Sequence, residues 1–272
     1  MIGIFIGLIV ATNFFSFSAS EKDIQEAFAN TGFSPEDHYS ESTEGKLHYV
    51  TVGDPSKPPV LLIHGSPGSW DNWLDVITKT DFLDHYFAIA IDRAGYNKTT
   101  LTGKYSLQEQ SAFLEPLIHQ YCKPCVVAGH SYGGALALQT AKDYHSSVSA
   151  VISVAGTVAD SLQDPRFYNY ILKYTPLKWI IANNLMASNR EMMGLEEDLP
   201  KMEAGLSGFK GKVALIQGNE DVLVHPDSPA YLKPKFSPSA QVRLFTRDEM
   251  NHFVIWSDKD LVMEALAWAH QN

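Results

Sequence analysis

The chain has 272 residues, of which 45% are hydrophobic and 19% are charged, and its formal net charge is −10. This length and composition suit one large hydrophobic core. Since single α/β domains of this length are common, one domain is the first expectation. The acidic balance, with no run of Lys or Arg, argues against a nucleic-acid-binding protein.

The N-terminal segment from Met1 to Ser18 is dominated by Ile, Leu, Val and Phe. Small residues at Ser18 and Ser20 then precede polar residues, a pattern typical of a secretory signal peptide. We therefore expect a signal peptide over residues 1–20, a domain over residues 21–272, and an exported protein that is periplasmic or secreted. No Lys or Arg precedes the apolar run, so an uncleaved membrane anchor through residues 2–18 stays an alternative.

The next strands are predicted from short apolar runs, and the segments between them have helical spacing. Continuous apolar runs are typical of strands buried on both faces of a parallel sheet. Strand and helix alternate, which predicts a doubly wound α/β sheet. The predicted strands are Leu47 to Val52, Val60 to Ile63, Phe87 to Ile91, Val126 to Ala128, Val148 to Val154, Val213 to Ile216 and Val242 to Phe245, and the predicted helices include Ser106 to Gln120, Gly134 to Tyr144 and Lys259 to Asn272.

One connection is too long for a simple loop, because about 58 residues separate Val154 from Val213. Its aromatic and aliphatic residues recur at helical spacing, as in Phe167 to Leu172 and Leu177 to Ile181. We expect a small helical lid over residues 157–210, inserted after strand 6 and covering the carboxyl ends of the strands.

The two cysteines form the pair Cys122-Lys123-Pro124-Cys125. Thioredoxin-like pairs follow a strand and open a helix, whereas this pair follows a helical segment and precedes the strand at Val126. Two cysteines also do not supply four zinc ligands. We expect a small structural disulfide, with free thiols as the alternative.

A nucleophile-elbow pattern, Gly129-His130-Ser131-Tyr132-Gly133, follows the strand Val126 to Ala128 and opens a helix of small residues. Glycines two residues on either side of a serine relieve the crowding of a sharp strand-to-helix turn, which exposes the hydroxyl. Ser131 is the predicted nucleophile. His130 lies on the wrong side of this turn to act as its base.

The acid and base are expected after later strands, in the order nucleophile, acid, histidine. Asp221 follows the strand Val213 to Ile216, and His252 follows the last strand. Glu220 and Asp160 are alternatives for the acid. Asp221 is preferred because the apolar side chains after it, in Val222-Leu223-Val224, would anchor the turn and aim its carboxylate.

The segment His64-Gly65-Ser66-Pro67-Gly68-Ser69-Trp70, here called the His64 loop, follows the strand that ends at Ile63. A loop in this place supplies backbone N–H groups to the oxyanion of a tetrahedral intermediate. We assign the two donors to Ser66 and Tyr132, since Pro67 has no N–H. His64 is interpreted as a structural residue of the loop that it opens.

From residue 47 to residue 272 the sequence resembles the α/β-hydrolase superfamily, lidded subgroup. Four blocks carry the resemblance in order: His64 to Gly68, Asp92-Arg93-Ala94-Gly95-Tyr96, Gly129 to Gly133, and Gly218 to Asp221 together with Asn251-His252. The resemblance implies an eight-stranded, mostly parallel sheet and a Ser-Asp-His hydrolytic mechanism without a cofactor or metal. Epoxide hydrolases and dehalogenases of this superfamily use an aspartate nucleophile, so a serine at position 131 disfavours both.

The predicted function is serine-dependent cleavage of an ester-like bond in a small acyl substrate, through an acyl-enzyme intermediate. The same triad also serves lipases, carbon-carbon bond hydrolases and aminopeptidases of the proline-iminopeptidase type. A peptidase would need acidic lid residues for a substrate ammonium, and the candidates are Glu191, Glu196, Glu197 and Asp198. A ligand-binding protein without turnover is the non-enzymatic alternative.

Overall fold

The computed structural model describes residues 18–162, 169 and 183–271. These residues form one eight-stranded sheet with the strand order β1-β2-β4-β3-β5-β6-β7-β8. The strands are β1 Glu36–Ser42, β2 Gly45–Val52, β3 Pro59–Ile63, β4 Phe87–Ile91, β5 Cys125–His130, β6 Val148–Val154, β7 Lys212–Ile216 and β8 Gln241–Phe245. Strands β3 to β8 pair in parallel, whereas β2 pairs antiparallel with both β1 and β4.

Helices lie on both faces of this sheet. They are α1 Glu21–Phe28, α2 Leu74–Ile77, α3 Thr80–His85, α4 Leu107–Ala112, α5 Glu115–Tyr121, α6 Tyr132–Asp143, α7 Asn183–Glu203, α8 Ser228–Leu232, α9 Val254–Ser257 and α10 Lys259–His270. Short 3₁₀ helices cover Trp70–Trp73, Asp160–Leu162, Leu206–Gly208 and Lys233–Lys235. None of the helices in the described ranges is long and apolar enough to span a membrane.

The sheet carries a separate hydrophobic core on each face, because alternate residues of each strand point to opposite sides. Leu61 and Ile63 of β3 pack with Leu136 of α6 on one face. Leu62 of β3 packs with Leu266 of α10 on the other face. Burial of each such side chain contributes about 1.5–3 kcal/mol. The doubly wound, mostly parallel sheet expected from the apolar runs is confirmed, and it has the eight strands that the resemblance implies.

The edge strand β1 is not visible as a strand in the hydropathy pattern. Its sequence, Glu-Asp-His-Tyr-Ser-Glu-Ser, is polar, and none of its residues is buried. The strand is held instead by its antiparallel ladder with β2 and by His48, whose Nε2 lies 2.6 Å from Asp37 Oδ1. The other ring nitrogen of His48 lies 2.6 Å from Asp92 Oδ2, which ties this edge to the loop after β4.

The chain between β6 and β7 contains the 3₁₀ helix at residues 160–162 and helix α7. The aromatic runs at 167–172 and 177–181, on which the lid prediction rests, lie outside the described residues apart from Asn169. The predicted lid over 157–210 therefore stays a prediction. The structure describes its residues 157–162, 169 and 183–210, which include α7 and the 3₁₀ helices at 160–162 and 206–208.

The two cysteines are joined by a disulfide between α5 and β5. The Sγ atoms of Cys122 and Cys125 are 2.02 Å apart, and their Cα atoms are 4.5 Å apart. Both side chains are buried. This is the structural pairing expected from the position of the motif between a helix and a strand.

Candidate active site

Ser131 stands at a sharp turn between the buried strand β5 and helix α6. Its backbone has φ 54° and ψ −122°, a conformation that a non-glycine residue adopts at a cost of about 1–3 kcal/mol. The turn is held by three backbone hydrogen bonds: Ser131 N–H donates to Val154 O at 2.8 Å, and Ser131 O accepts from Gly134 N and Thr157 N. The residue is half-buried.

The glycines on either side of Ser131 are required by close backbone approach. A Cβ on Gly129 would lie 1.9 Å from Gly133 O, and a Cβ on Gly133 would lie 2.4 Å from Ile63 O. Neither clash is with a flexible side chain, so the backbone itself would have to move. The spacing of the motif is therefore a packing requirement of the strand-to-helix turn.

Asp221 and His252 form a buried hydrogen-bonded pair at the carboxyl ends of β7 and β8. His252 Nδ1 donates to Asp221 Oδ2 at 2.8 Å, and both residues are about 95% buried. Burial alone would raise the pKa of Asp221, but hydrogen bonds from His252, Val224 and Leu223 lower it below its ordinary value. An ionised Asp221 fixes the histidine tautomer and leaves Nε2 facing away from the carboxylate.

The turn at Asp221 is built differently from the sequence prediction. Val222 is 79% exposed and Leu223 is 48% exposed, so only Val224 of the three apolar residues is buried. The prediction that these side chains anchor the turn is wrong for the first two. Asp221 Oδ1 instead accepts the backbone N–H groups of Leu223 at 2.8 Å and Val224 at 2.9 Å.

The two alternative acids do not contact the histidine. Glu220 is exposed and has no hydrogen bond to His252. Asp160 lies in the 3₁₀ helix after β6, where its backbone N–H donates to Glu203 Oε1 at 2.8 Å. Among the described carboxylates, Asp221 is the one that binds the imidazole.

The His64 loop passes directly against the elbow. A Cβ on Gly65 would lie 3.1 Å from Ser131 Cβ, which places the loop beside the serine. His64 is fully buried: Nδ1 donates to Gly65 O at 2.7 Å, and Nε2 accepts from Arg93 N at 3.0 Å. Burial, with the nearby Arg93 charge, holds the pKa of His64 well below its ordinary value. The ring is a neutral brace of the loop, as its sequence position indicated.

The backbone N–H groups of Ser66 and Tyr132 have no hydrogen-bond acceptor in the described part of the chain. Tyr132 is the first residue of α6, and the first N–H groups of a helix have no partner within it. Both groups belong to segments that meet at Ser131. Backbone donors without a partner are the kind of group that can stabilise a developing oxyanion.

His130 packs against His252 of the Asp221–His252 pair. Its Nε2 donates to the backbone carbonyl of His252 at 3.0 Å, and the two rings lie 5.0 Å apart. Burial lowers the pKa of His130 to about 3, so the ring is neutral near pH 7. A second buried ring held by the backbone of His252 restricts where the imidazole of His252 lies. Sequence reasoning noted the position of His130 but not this contact.

Glu191, a candidate for binding a substrate ammonium, has a different place in the structure. Its carboxylate forms a buried ion pair with Arg93 and accepts hydrogen bonds from Ser66 and Tyr96. This ion pair was not foreseen, because Arg93 and Glu191 are far apart in sequence and no local pattern links them. Of the other acidic candidates, Glu196 and Glu197 are exposed, and Asp198 accepts the backbone N–H of Leu107 at 3.1 Å.

Comparisons with known proteins identify the family of the chain. The sequence profile described as "Alpha/beta hydrolase family" matches residues 60–269. "Epoxide hydrolase 3" of Xenopus tropicalis is 29% identical over 242 residues, covering 84% of this chain and 62% of that protein. "Proline iminopeptidase" of Lactobacillus crispatus (strain ST1) is 27% identical over 151 residues, covering 51% of this chain and 52% of that protein. The chain thus spans less than two thirds of the length of either relative.

Among solved structures, a putative lipase from Acinetobacter baumannii AYE superposes with a TM-score of 0.70 at 20% identity. The superposition covers 93% of this chain and 95% of the lipase chain. At this level of identity the likeness concerns the fold. The profile match over most of the chain shows that this protein belongs to the alpha/beta hydrolase family.

Proposed function

We propose that the protein is a serine hydrolase that cleaves an ester-like acyl bond of a small molecule through an acyl-enzyme intermediate. The observation that carries this proposal is the Asp221–His252 hydrogen bond at the sheet edge where Ser131 stands in its strained turn. Nucleophile, base and orienting acid are the three roles that serine-dependent acyl transfer requires.

In the acylation step, Ser131 Oγ attacks the substrate carbonyl carbon while His252 Nε2 takes the hydroxyl proton. A new C–O bond forms, and the carbonyl electron pair moves to oxygen, which accepts hydrogen bonds from Ser66 N–H and Tyr132 N–H. Asp221 stabilises the imidazolium through Nδ1 and does not itself take the proton. Collapse of the intermediate breaks the bond to the leaving group, which receives the proton from Nε2.

In the deacylation step, water replaces the leaving group. His252 Nε2 takes a proton from water as its oxygen attacks the acyl carbon, and the same two N–H groups bind the second oxyanion. Collapse breaks the bond to Ser131 Oγ, which regains a proton from His252. The products are the acid and the regenerated serine.

Two side chains, Ser131 and Glu191, favour acyl hydrolysis over epoxide hydrolysis and over the release of N-terminal residues by an aminopeptidase. A serine at position 131 supplies a hydroxyl, whereas the epoxide hydrolases of the superfamily use a carboxylate nucleophile. An aminopeptidase needs a carboxylate for the substrate ammonium, and the carboxylate of Glu191 is already neutralised by Arg93. Glu196 and Glu197 are exposed on the same helix, so neither offers a buried carboxylate for an ammonium group.

The test is a Ser131→Ala variant with Ser146→Ala as its matched control, since Ser146 is exposed and lies just before β6. Both variants are assayed on a panel of short-chain acyl, aminoacyl and epoxide chromogenic substrates and with a fluorophosphonate probe. We expect S131A to lose acyl hydrolysis and labelling while S146A keeps both. Unchanged hydrolysis or labelling in S131A would refute the proposal, and turnover confined to aminoacyl substrates would favour the peptidase.

A further inference from the structure

The Arg93 guanidinium is a buried charge that forms hydrogen bonds with the backbone of the His64 loop. It is 1% exposed, and its Nε and Nη2 donate to the backbone carbonyls of His64 and Gly65 at 2.9 and 2.8 Å. The guanidinium also lies over the rings of Tyr96 and Tyr132, at 4.8 and 4.6 Å from their centroids. Arg93 therefore fixes the two peptide groups that lead into Ser66.

A buried cation needs a counter-charge, because the cost of removing it from water is several kcal/mol. Glu191 of α7 supplies that charge: Arg93 Nη1 donates to its Oε1, and Nη2 donates to its Oε2 at 3.2 Å. Glu191 is itself 8% exposed. The pair joins the loop after β4 to the helix that follows β6.

The same carboxylate also holds the side chain of Ser66. Ser66 Oγ donates to Glu191 Oε2 at 2.6 Å, and Tyr96 OH donates to the same oxygen at 2.7 Å. Burial and the Glu191 charge raise the pKa of Tyr96 well above its ordinary value, so its hydroxyl remains a donor. With these donors and Arg93, the carboxylate has no acceptor site left for a substrate ammonium.

Tyr132 belongs to the same network through its side chain. Gln110 Nε2 donates to Tyr132 OH at 3.0 Å, and Gln110 Oε1 accepts from Arg93 Nη1 at 3.3 Å. Both residues assigned as oxyanion donors are thus attached to one buried ion pair. A backbone donor stabilises a transition state only if its N–H is already in place before the reaction. Its position must be held to within about 0.5 Å and its direction to within about 10–20°.

We propose that Glu191 is a positioning residue which, through Arg93 and Ser66, sets the direction of the oxyanion-hole N–H groups from the helix between β6 and β7. This inference rests on the proposed serine hydrolase function. Through Glu191, α7 would hold the oxyanion donors in place. Glu191 acts through other residues and does not touch the reacting atoms.

The test compares Glu191→Gln with Glu197→Gln, an exposed glutamate on the same helix. Gln keeps the size of Glu191 but removes the charge that balances Arg93. On an activated ester we expect E191Q to lower kcat by about 10- to 100-fold with KM within about threefold, because the missing stabilisation concerns the transition state. The control E197Q should match the parent protein.

The readout specific to positioning is the affinity for a tetrahedral-intermediate mimic, an alkyl boronic acid that adds to Ser131. We expect its Kd to rise in E191Q by the same factor by which kcat/KM falls, while the Kd of the product acid stays unchanged. Ser66→Ala, which keeps the backbone N–H but loses the Glu191 contact, should show a smaller shift in the same direction. The pH dependence of kcat/KM should be the same in E191Q as in the parent protein.

Three outcomes would overturn the inference. E191Q with a lower Tm but parental kcat and boronate affinity would mean that the ion pair only stabilises the fold. A rise in KM confined to aminoacyl substrates would make Glu191 an ammonium ligand. Equal weakening of boronate and product acid would mean a loss of general binding. Failure of the serine hydrolase proposal itself is separate, since it shows as activity retained in S131A.

Discussion

Replacing Asp71 by Asn should change how the stability of the protein depends on pH. Asp71 lies in the 3₁₀ helix after the His64 loop, is 5% exposed, and has no Lys, Arg or His within salt-bridge distance in the described ranges. Burial raises its pKa from 3.8 to about 6, and the nearby Asp92 adds to this rise. Hydrogen bonds from Ser69 Oγ at 2.6 Å and Ala19 N at 3.0 Å only partly oppose the effect of burial.

The sign follows from comparing the folded and unfolded chains. Between pH 4 and 6 the unfolded chain releases the Asp71 proton while the folded chain keeps it, so the free energy of unfolding falls as the pH rises through this window. A difference of about two pH units at 1.36 kcal/mol per unit gives about 3 kcal/mol, of which most is lost between pH 4 and pH 7.5. D71N cannot ionise and does not suffer this loss.

The assay is thermal unfolding of the parent protein, D71N and the control Asp84→Asn at pH 4 and pH 7.5. Asp84 is exposed and forms no ion pair with any described residue. From pH 4 to pH 7.5 the Tm of D71N should rise relative to the parent by about 5–10 °C, whereas that of D84N should stay level with the parent. A D71N–parent difference in Tm that is the same at both pH values would refute the reasoning, because it would mean that folding does not shift the pKa of Asp71.

Two further predictions concern the acid and the N-terminal segment. Asp221→Asn should lower kcat on an activated ester by about 10⁴-fold, as loss of the orienting acid does in a serine triad, while the exposed neighbour variant Glu220→Gln keeps activity; equal losses in both would contradict the assignment. In a secreting host, mass spectrometry of the N-terminus should find a mature chain that begins at Glu21, because the small residues Ser18 and Ser20 suit a signal-peptidase site. A chain that still carries residue 1 would contradict this and favour the membrane anchor.

The parts of the fold that sequence patterns reveal are those whose burial is continuous along the chain. Strands β3, β4, β5 and β7 are visible as apolar runs because both of their faces are covered. The turn at Ser131 can be recognised because it allows only glycine at positions 129 and 133. Strand β1 has no such signature. Its polar residues are held by backbone pairing and by one histidine, neither of which leaves a hydropathy pattern.

The candidate site divides in the same way. Asp221 and His252 are found because chain order and strand ends constrain them, yet the reason that Asp221 points inward was misjudged. Two backbone N–H groups aim it, and backbone geometry is not written in side-chain type. The Arg93–Glu191 pair was missed entirely, since it depends on how a helix after β6 returns to the loop after β4.

The sheet order has a consequence for the time at which the protein becomes active as it folds. Ser131 follows β5, Asp221 follows β7 and His252 follows β8, so the proposed triad can assemble only after four parallel strands have found their registers. Parallel pairing of distant segments is slow compared with helix formation. Catalytic competence should therefore be among the last properties to return on refolding, well after the helical signal, and so is a stricter reporter of the native state than secondary structure.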